Sequence, residues 1–130
     1  MKAVDTNVLV RYLVGDDPIQ SRRAANFLTR NCSATDPCMV NRIVLCELVW
    51  VLERAYGYSR ERIAEVLEAL LQVRQLVIED HDEASIALTE FRDGAGFADA
   101  FIGQTNRRSG CEYTVTFDRE ASRRSGFRLL

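Results

Sequence analysis

Apolar residues fall into short clusters separated by polar turns, and the spacing within each cluster predicts strands alternating with helices. Ala3 and Val4 read as a short buried strand. Val8 to Val14 follow as a short helix stopped by Gly15. Asp17-Pro18 then starts a second helix over about Pro18 to Arg30, with an acid at the cap and proline in the first turn. Ile19, Ala24, Phe27 and Leu28 give it a core face; Arg22, Arg23 and Arg30 form a solvated face, with phosphate contact as the alternative. After a polar loop, Cys38-Met39-Val40 is a second strand, and Asn41 caps a helix running to about Tyr56, before Gly57. Ser59 caps a fourth helix, with Ile63, Val66, Leu67, Leu70 and Leu71 at helical spacing, and Leu76-Val77-Ile78 is a third strand. Asp82 caps a helix over about Glu83 to Phe91 that turns Ala84, Ala87, Leu88 and Phe91 inward. Phe97 to Ser109 is a further helix closed by Gly110, Tyr113 to Thr116 a fourth strand, and Phe127 to Leu130 a short fifth.

No hairpin interrupts this alternation. It implies an α/β fold whose mainly parallel central sheet of four to five strands is covered by helices on both faces. The chain has 130 residues, 47 % of them apolar, with no linker, repeat or low-complexity segment, so a single domain over 1–130 is expected. A formal charge of −2 neither suggests nor excludes nucleic acid. Lys2 is the only lysine. Arginine suits bidentate phosphate contacts, although a GC-rich coding sequence would give the same bias. Cys32, Cys38, Cys46 and Cys111 lack the paired spacing of a zinc site, with only His81 to help them, and Cys46 packs as a small hydrophobe. No secretory leader and no membrane-spanning run is visible, so a reduced, cytosolic protein is expected.

Four acids stand out against this background. Glu47 is the only charge in the segment Ile43 to Leu52, where Val44, Leu48 and Val51 share its neighbourhood on a helix. Asp99 is likewise alone in Gly94 to Gly103, in the first turn of its helix. Asp5 and Asp118 each follow a short apolar strand, where ligands sit in open α/β sheets. The plainer accounts are helix capping for Asp5 and Asp118, helix electrostatics for Asp99 and a buried arginine partner for Glu47. Taken together, Glu47, Asp99 and Asp118 are expected to converge on Asp5. Clustered carboxylates need a cation, and all-oxygen ligation favours Mg²⁺ or Mn²⁺. Such a site suits phosphodiester hydrolysis.

Val-Asp-Thr-Asn at 4–7, Leu-Cys-Glu-Leu-Val-Trp-Val-Leu at 45–52, Phe-Ala-Asp-Ala-Phe-Ile at 97–102 and Thr-Phe-Asp at 116–118 resemble the PIN domain, and more narrowly the VapC-type toxin ribonucleases of toxin–antitoxin pairs. The resemblance spans the chain in order. It implies a three-layer α/β/α sandwich, an Mg²⁺- or Mn²⁺-dependent endoribonuclease acting on RNA, a homodimer, and a cognate antitoxin whose tail blocks the acidic pocket. Asp5 and Asp99 would be the principal metal ligands, Glu47 and Asp118 would complete the catalytic pocket, and Thr6, Asn7 and Thr116 would support it. Many relatives carry another acid where Gly96 stands, which leaves one or two metals open, with Asp93 as a possible substitute.

Over residues 107–130, six arginines face three acids, Glu112, Asp118 and Glu120. Arg107, Arg108, Arg119, Arg123, Arg124 and Arg128 are therefore candidates for holding phosphates, against a plainer reading of locally paired charges. Trp50, Tyr56 and Tyr58 fit core or dimer contact better than base stacking. Two alternatives remain: a PIN-like module that binds RNA or protein without cutting, and an Mg²⁺-dependent phosphoryl-transfer domain. The second needs a lysine in a later loop, which this chain lacks.

Overall fold

A computed structural model describes residues 1–130. The chain divides into two units, Met1–His81 and Asp82–Leu130, and each contains one parallel strand pair.

The first unit holds α1 (Thr6–Val14), α2 (Pro18–Asn31), β1 (Cys38–Val40), α3 (Arg42–Arg54), α4 (Arg60–Gln72) and β2 (Leu76–Ile78). The starts are set by the capping residues read from the sequence. Asp17 accepts from the amides of Ile19 and Gln20, Asn41 from Val44, and Ser59 from Arg62. Gly15, at φ 71°, takes the left-handed conformation that ends α1. α1 starts at Thr6 instead of Val8, because Asp5 is already in the extended N-cap conformation and no turn intervenes.

β1 pairs with β2 in parallel, Cys38 opposite Leu76 and Val40 opposite Ile78. The expected strand at Ala3 is reduced to a single parallel bridge with Met39. Leu9, Val40, Leu45, Leu48, Leu52, Ile63 and Leu67 are fully buried, each fully buried large apolar side chain contributing about 1.5–3 kcal/mol.

Two expectations for this unit fail. α2 does not bury Ile19 or Phe27, which are 72 % and 36 % exposed. Its inward stripe is instead Ser21, Ala24, Ala25 and Leu28, and Ala24 is its one buried residue. The small side chains let α2 lie close against α1, which leaves the bulky ones on the flanks. The cysteines are not all reduced either: Cys32 and Cys38 form a disulfide across six positions, with Cα atoms 5.4 Å apart. The intervening loop folds back through Ser33 N–H to Asp36 O, joining the end of α2 to the start of β1. Cys46 and Cys111 are free thiols.

The second unit holds α5 (His81–Arg92), α6 (Phe97–Arg108), β3 (Thr114–Thr116), α7 (Arg119–Ser122) and β4 (Phe127–Leu129). β3 and β4 are parallel, Thr114 opposite Phe127 and Thr116 opposite Leu129. Phe91, Phe97 and Phe101 meet edge to face, with centroids 6.1 and 5.8 Å apart, beside buried Ala84, Ala87 and Leu88. Polar bonds tie α5 to α6: Arg108 to Glu83 at 2.5 Å and Gln104 to Glu90 at 2.9 Å. Gly103 has no room for a side chain, since a Cβ there would lie 2.6 Å from the Phe127 ring.

Helices and strands both form, so the α/β class stands. The single sheet of four to five strands does not. Hydrogen bonding gives two sheets of two strands each. Every strand is only three residues long, so it offers few ladder groups; β1 alone reaches a second neighbour, through the one bridge to Ala3.

Candidate active site

Asp5 is placed by the bridge at Ala3 and the start of α1. It occupies the N-cap position in extended backbone, yet its side chain makes no capping hydrogen bond. Its carboxylate is exposed and lines a groove of about 510 Å³ between α1 and α2, together with Asn7, Arg11, Gln20, Arg23 and Phe27. Thr6 turns the other way. It is 2 % exposed, and its Oγ1 is buried without a hydrogen-bond partner.

Glu47 is not in the apolar surroundings that its segment suggested. Val44, Leu45, Leu48, Val49 and Leu52 form the buried face of α3. Glu47 lies on the opposite face with Ile43 and Trp50, which are 70 % and 59 % exposed. Steps of four and three residues put these side chains on one stripe. The apolar segment is therefore a two-faced helix whose outer stripe is itself partly apolar, and Trp50 is not a core residue. Tyr56 and Tyr58 are half-buried: the Tyr56 hydroxyl bonds Asp16 and Arg11, and Tyr58 carries Arg62 over its ring.

In the second unit the structure brings two acids within electrostatic reach. Asp99 stands at the third position of α6, half-buried. Burial, and then the charge of Asp118, push its carboxyl above the usual aspartate range. Asp118 is the N-cap of α7. Its Oδ1 accepts from the amides of Glu120 and Ala121 at 2.8 and 3.1 Å. The Asp118 N–H in turn donates to Thr116 Oγ1, so Thr116 fixes the turn that presents this acid. At Gly96 a Cβ would lie 3.1 Å from Asp99 Oδ2. A side chain there would press directly on the Asp99 carboxylate.

None of Asp5, Glu47, Asp99 or Asp118 forms an ion pair, in a chain with 17 basic residues. Within neither unit do three or more His, Cys, Asp or Glu side chains gather as a group able to hold a metal ion. The donors at hand are carboxylate oxygens, and in the second unit two of them repel each other without a cation between them. This chemistry fits a hard divalent ion such as Mg²⁺ or Mn²⁺, which takes the rest of its shell from water and phosphate oxygens.

The C-terminal arginines are mostly engaged. Arg108 bonds Glu83, Arg123 pairs with Glu120 and Arg124 with Asp93. Arg107 donates to Ser125, and Arg128 lies 4.0 Å over the Tyr113 ring. Arg11 and Gln20 are groove residues that sequence reasoning passed over. Their one signal was that α1 and α2 are adjacent helices joined by a short turn, so the end of α1 faces the start of α2. Arg11 donates to Gln20 Oε1, Asp16 Oδ1 and Tyr56 Oη, bonds that hold its guanidinium in place.

Comparison with known proteins identifies the family. A family model described as PIN domain matches residues 2–126. A curated relative, "VapC ribonuclease" from Aquifex aeolicus (strain VF5), is 28 % identical over 132 residues, covering 100 % of this chain and 96 % of the relative. The acids at the ends of Ala3-Val4 and β3, the acid on α3 and the acid opening α6 all lie inside the matched span, and the chain belongs to the PIN domain family.

Proposed function

We propose that this protein is a divalent-metal-dependent endoribonuclease, the toxin of a toxin–antitoxin pair. The observation that carries the proposal is that the four acids singled out by the sequence motifs all lack a cationic partner, and that the charge of one, Asp118, disfavours the charge of another, Asp99. The full-length likeness to a VapC ribonuclease supports the choice of RNA as substrate and of an antitoxin as partner. In this reading residues 1–130 act as one domain, and Asp5, Glu47, Asp99 and Asp118 serve one site. Asp5 and Asp99 are the principal ligands of Mg²⁺ or Mn²⁺.

The ion supplies positive charge that offsets the attacked phosphate and eases proton loss from water. The protein supplies the rest. Two amides and the Thr116 hydroxyl fix the Asp118 turn, leaving Asp118 Oδ2 to hold a water and take its proton. Asp5, without a capping bond, is free to turn its oxygens to a ligand. Asn7 lines the groove beside Asp5, where its amide can donate to a phosphate oxygen. Thr6, the residue after Asp5, is buried and so anchors the start of α1 behind it.

The exposed Ile43–Trp50 stripe on α3 is suited to a homodimer contact. No helix is long and apolar enough to cross a membrane, and an RNA substrate points to the cytoplasm.

Purified protein is incubated with unstructured and structured RNA in Mg²⁺, in Mn²⁺ and in chelator, beside Asp5→Asn. Metal-dependent cutting that falls more than about a hundredfold in the variant, beyond the usual cost of losing an outer-shell partner, establishes the nuclease reading. Equal cutting by both proteins removes Asp5 from the site. Metal binding and RNA binding without cutting would make the chain a PIN module without chemistry.

A further inference from the structure

The largest group of unpaired arginines on one element lies on α2. This helix carries Arg22, Arg23 and Arg30 and no acid. All three are exposed, and none makes a hydrogen bond or ion pair. In residues 107–130, by contrast, only Arg119 is without a partner. Arg23, Phe27 and Arg30 follow one another at steps of four and three, so they form one stripe. Arg23 and Phe27 line the groove whose opposite wall carries Asp5 and Asn7. The arginines are about 10 Å apart along the helix at 1.5 Å per residue, with an exposed aromatic ring between them.

Alternating cations and an aromatic ring along an open groove match a single nucleic-acid strand: phosphates meet the guanidinium groups and a base meets the ring. An acidic protein segment would satisfy the charges but would leave Phe27 without a function in recognition. We infer that the α1–α2 groove holds single-stranded RNA, with Arg23 and Arg30 on backbone phosphates and Phe27 under a base. The strand is thereby led past Asp5. This inference rests on the ribonuclease reading and names the tract on which the substrate lies.

The test measures binding without cleavage. Asp5→Asn protein in chelator is titrated against a labelled twelve-nucleotide single-stranded RNA by fluorescence anisotropy, across a range of salt. Onto this background are added Arg23→Gln with Arg30→Gln, Phe27→Ala, and, as comparator, Arg119→Gln with Arg128→Gln. All five positions are at the surface, and circular dichroism melts check folding.

The double α2 variant is expected to lose at least tenfold in affinity at low salt. The slope of log affinity against log salt should fall by about 1.4, for two phosphates on a single strand. Phe27→Ala should lose about fivefold or more with its slope unchanged, and the comparator should lose less than twofold. Binding that survives in the α2 variant, or is lost in the comparator instead, overturns the groove and leaves the ribonuclease reading standing. No RNA binding by the Asp5→Asn parent overturns both. Labelled polyglutamate that binds the parent and is lost in the α2 variant, while RNA binding is unchanged, assigns the groove to an acidic protein segment and overturns the inference.

Discussion

Asp5 and Asp118 look alike in sequence. Each follows a short apolar segment, each has a threonine close by, and each precedes a helix. The first unit leaves Asp5 at an N-cap with no capping bond; the second fixes Asp118 through two amides and the Thr116 hydroxyl. An aspartate at an N-cap is thus not by itself a structural cap. Its role depends on whether the first-turn amides take its oxygens. The same contrast extends to the packing. A disulfide and a leucine-rich core secure the first unit, whereas edge-to-face rings and polar bonds between α5 and α6 secure the second.

The sharpest way to separate the units is to overfill one of them. Gly103→Ala should destabilise by about 3 kcal/mol, the upper end of the overpacking range, because the new Cβ meets the Phe127 ring. Chemical denaturation followed by near-ultraviolet circular dichroism reads it. A loss under about 0.5 kcal/mol, the size of an ordinary surface change, would show that the second unit yields easily.

Removing the first unit's covalent tie is next. Cys32→Ser with Cys38→Ser should cost about 2 kcal/mol, from loop-closure entropy over a short loop. Reductant should lower the melting temperature of the parent and leave the variant unmoved. A melting temperature indifferent to reductant in both would mean that the tie does not form in solution.

The two acids themselves give a smaller effect. Asp118→Ala should cost about 1 kcal/mol as a lost cap. Asp5→Ala should stay within about 0.5 kcal/mol, since no capping bond is lost. Equal costs in urea titrations would erase the distinction between them.

The smallest effect concerns pH. The Arg108 guanidinium holds the Glu83 carboxyl below the usual glutamate range, against the opposing pull of burial. A lowered carboxylate stabilises the native state above its ordinary value, and that stabilisation is lost as pH falls through the lowered folded value. Arg108 is itself 65 % exposed, so solvent screens the pair. Thermal melts from pH 7 to pH 3 should decline less steeply for Glu83→Gln than for the parent. Parallel declines would show that the pair contributes nothing.

Most of the local structure was legible beforehand because it is local chemistry. Asp17-Pro18, Asn41 and Ser59 start their helices by bonding amides within three residues, and Gly15 ends α1 by backbone conformation alone. Ala84, Ala87, Leu88 and Phe91 face inward because a 3.6-residue period allows nothing else once α5 has one partner. Glu47 shows where that logic stops. Ten residues with one charge suggested burial, but a helix has two sides, and only packing decides which side meets the core. The core took Leu45, Leu48 and Leu52, and left Ile43, Glu47 and Trp50 outside.

Sequence by itself determined the main helices, the positions of the four paired strands, the four acids and, through their order and spacing, the family. The tertiary structure decided which groups have partners. It joined Cys32 to Cys38, limited the strands to two short pairs, paired or stacked most of the C-terminal arginines and left those of α2 free. The physical reason is one of range. Caps and periodicity act over three or four residues along the chain, whereas ion pairs, disulfides and sheet ladders depend on distances in space that no local pattern encodes.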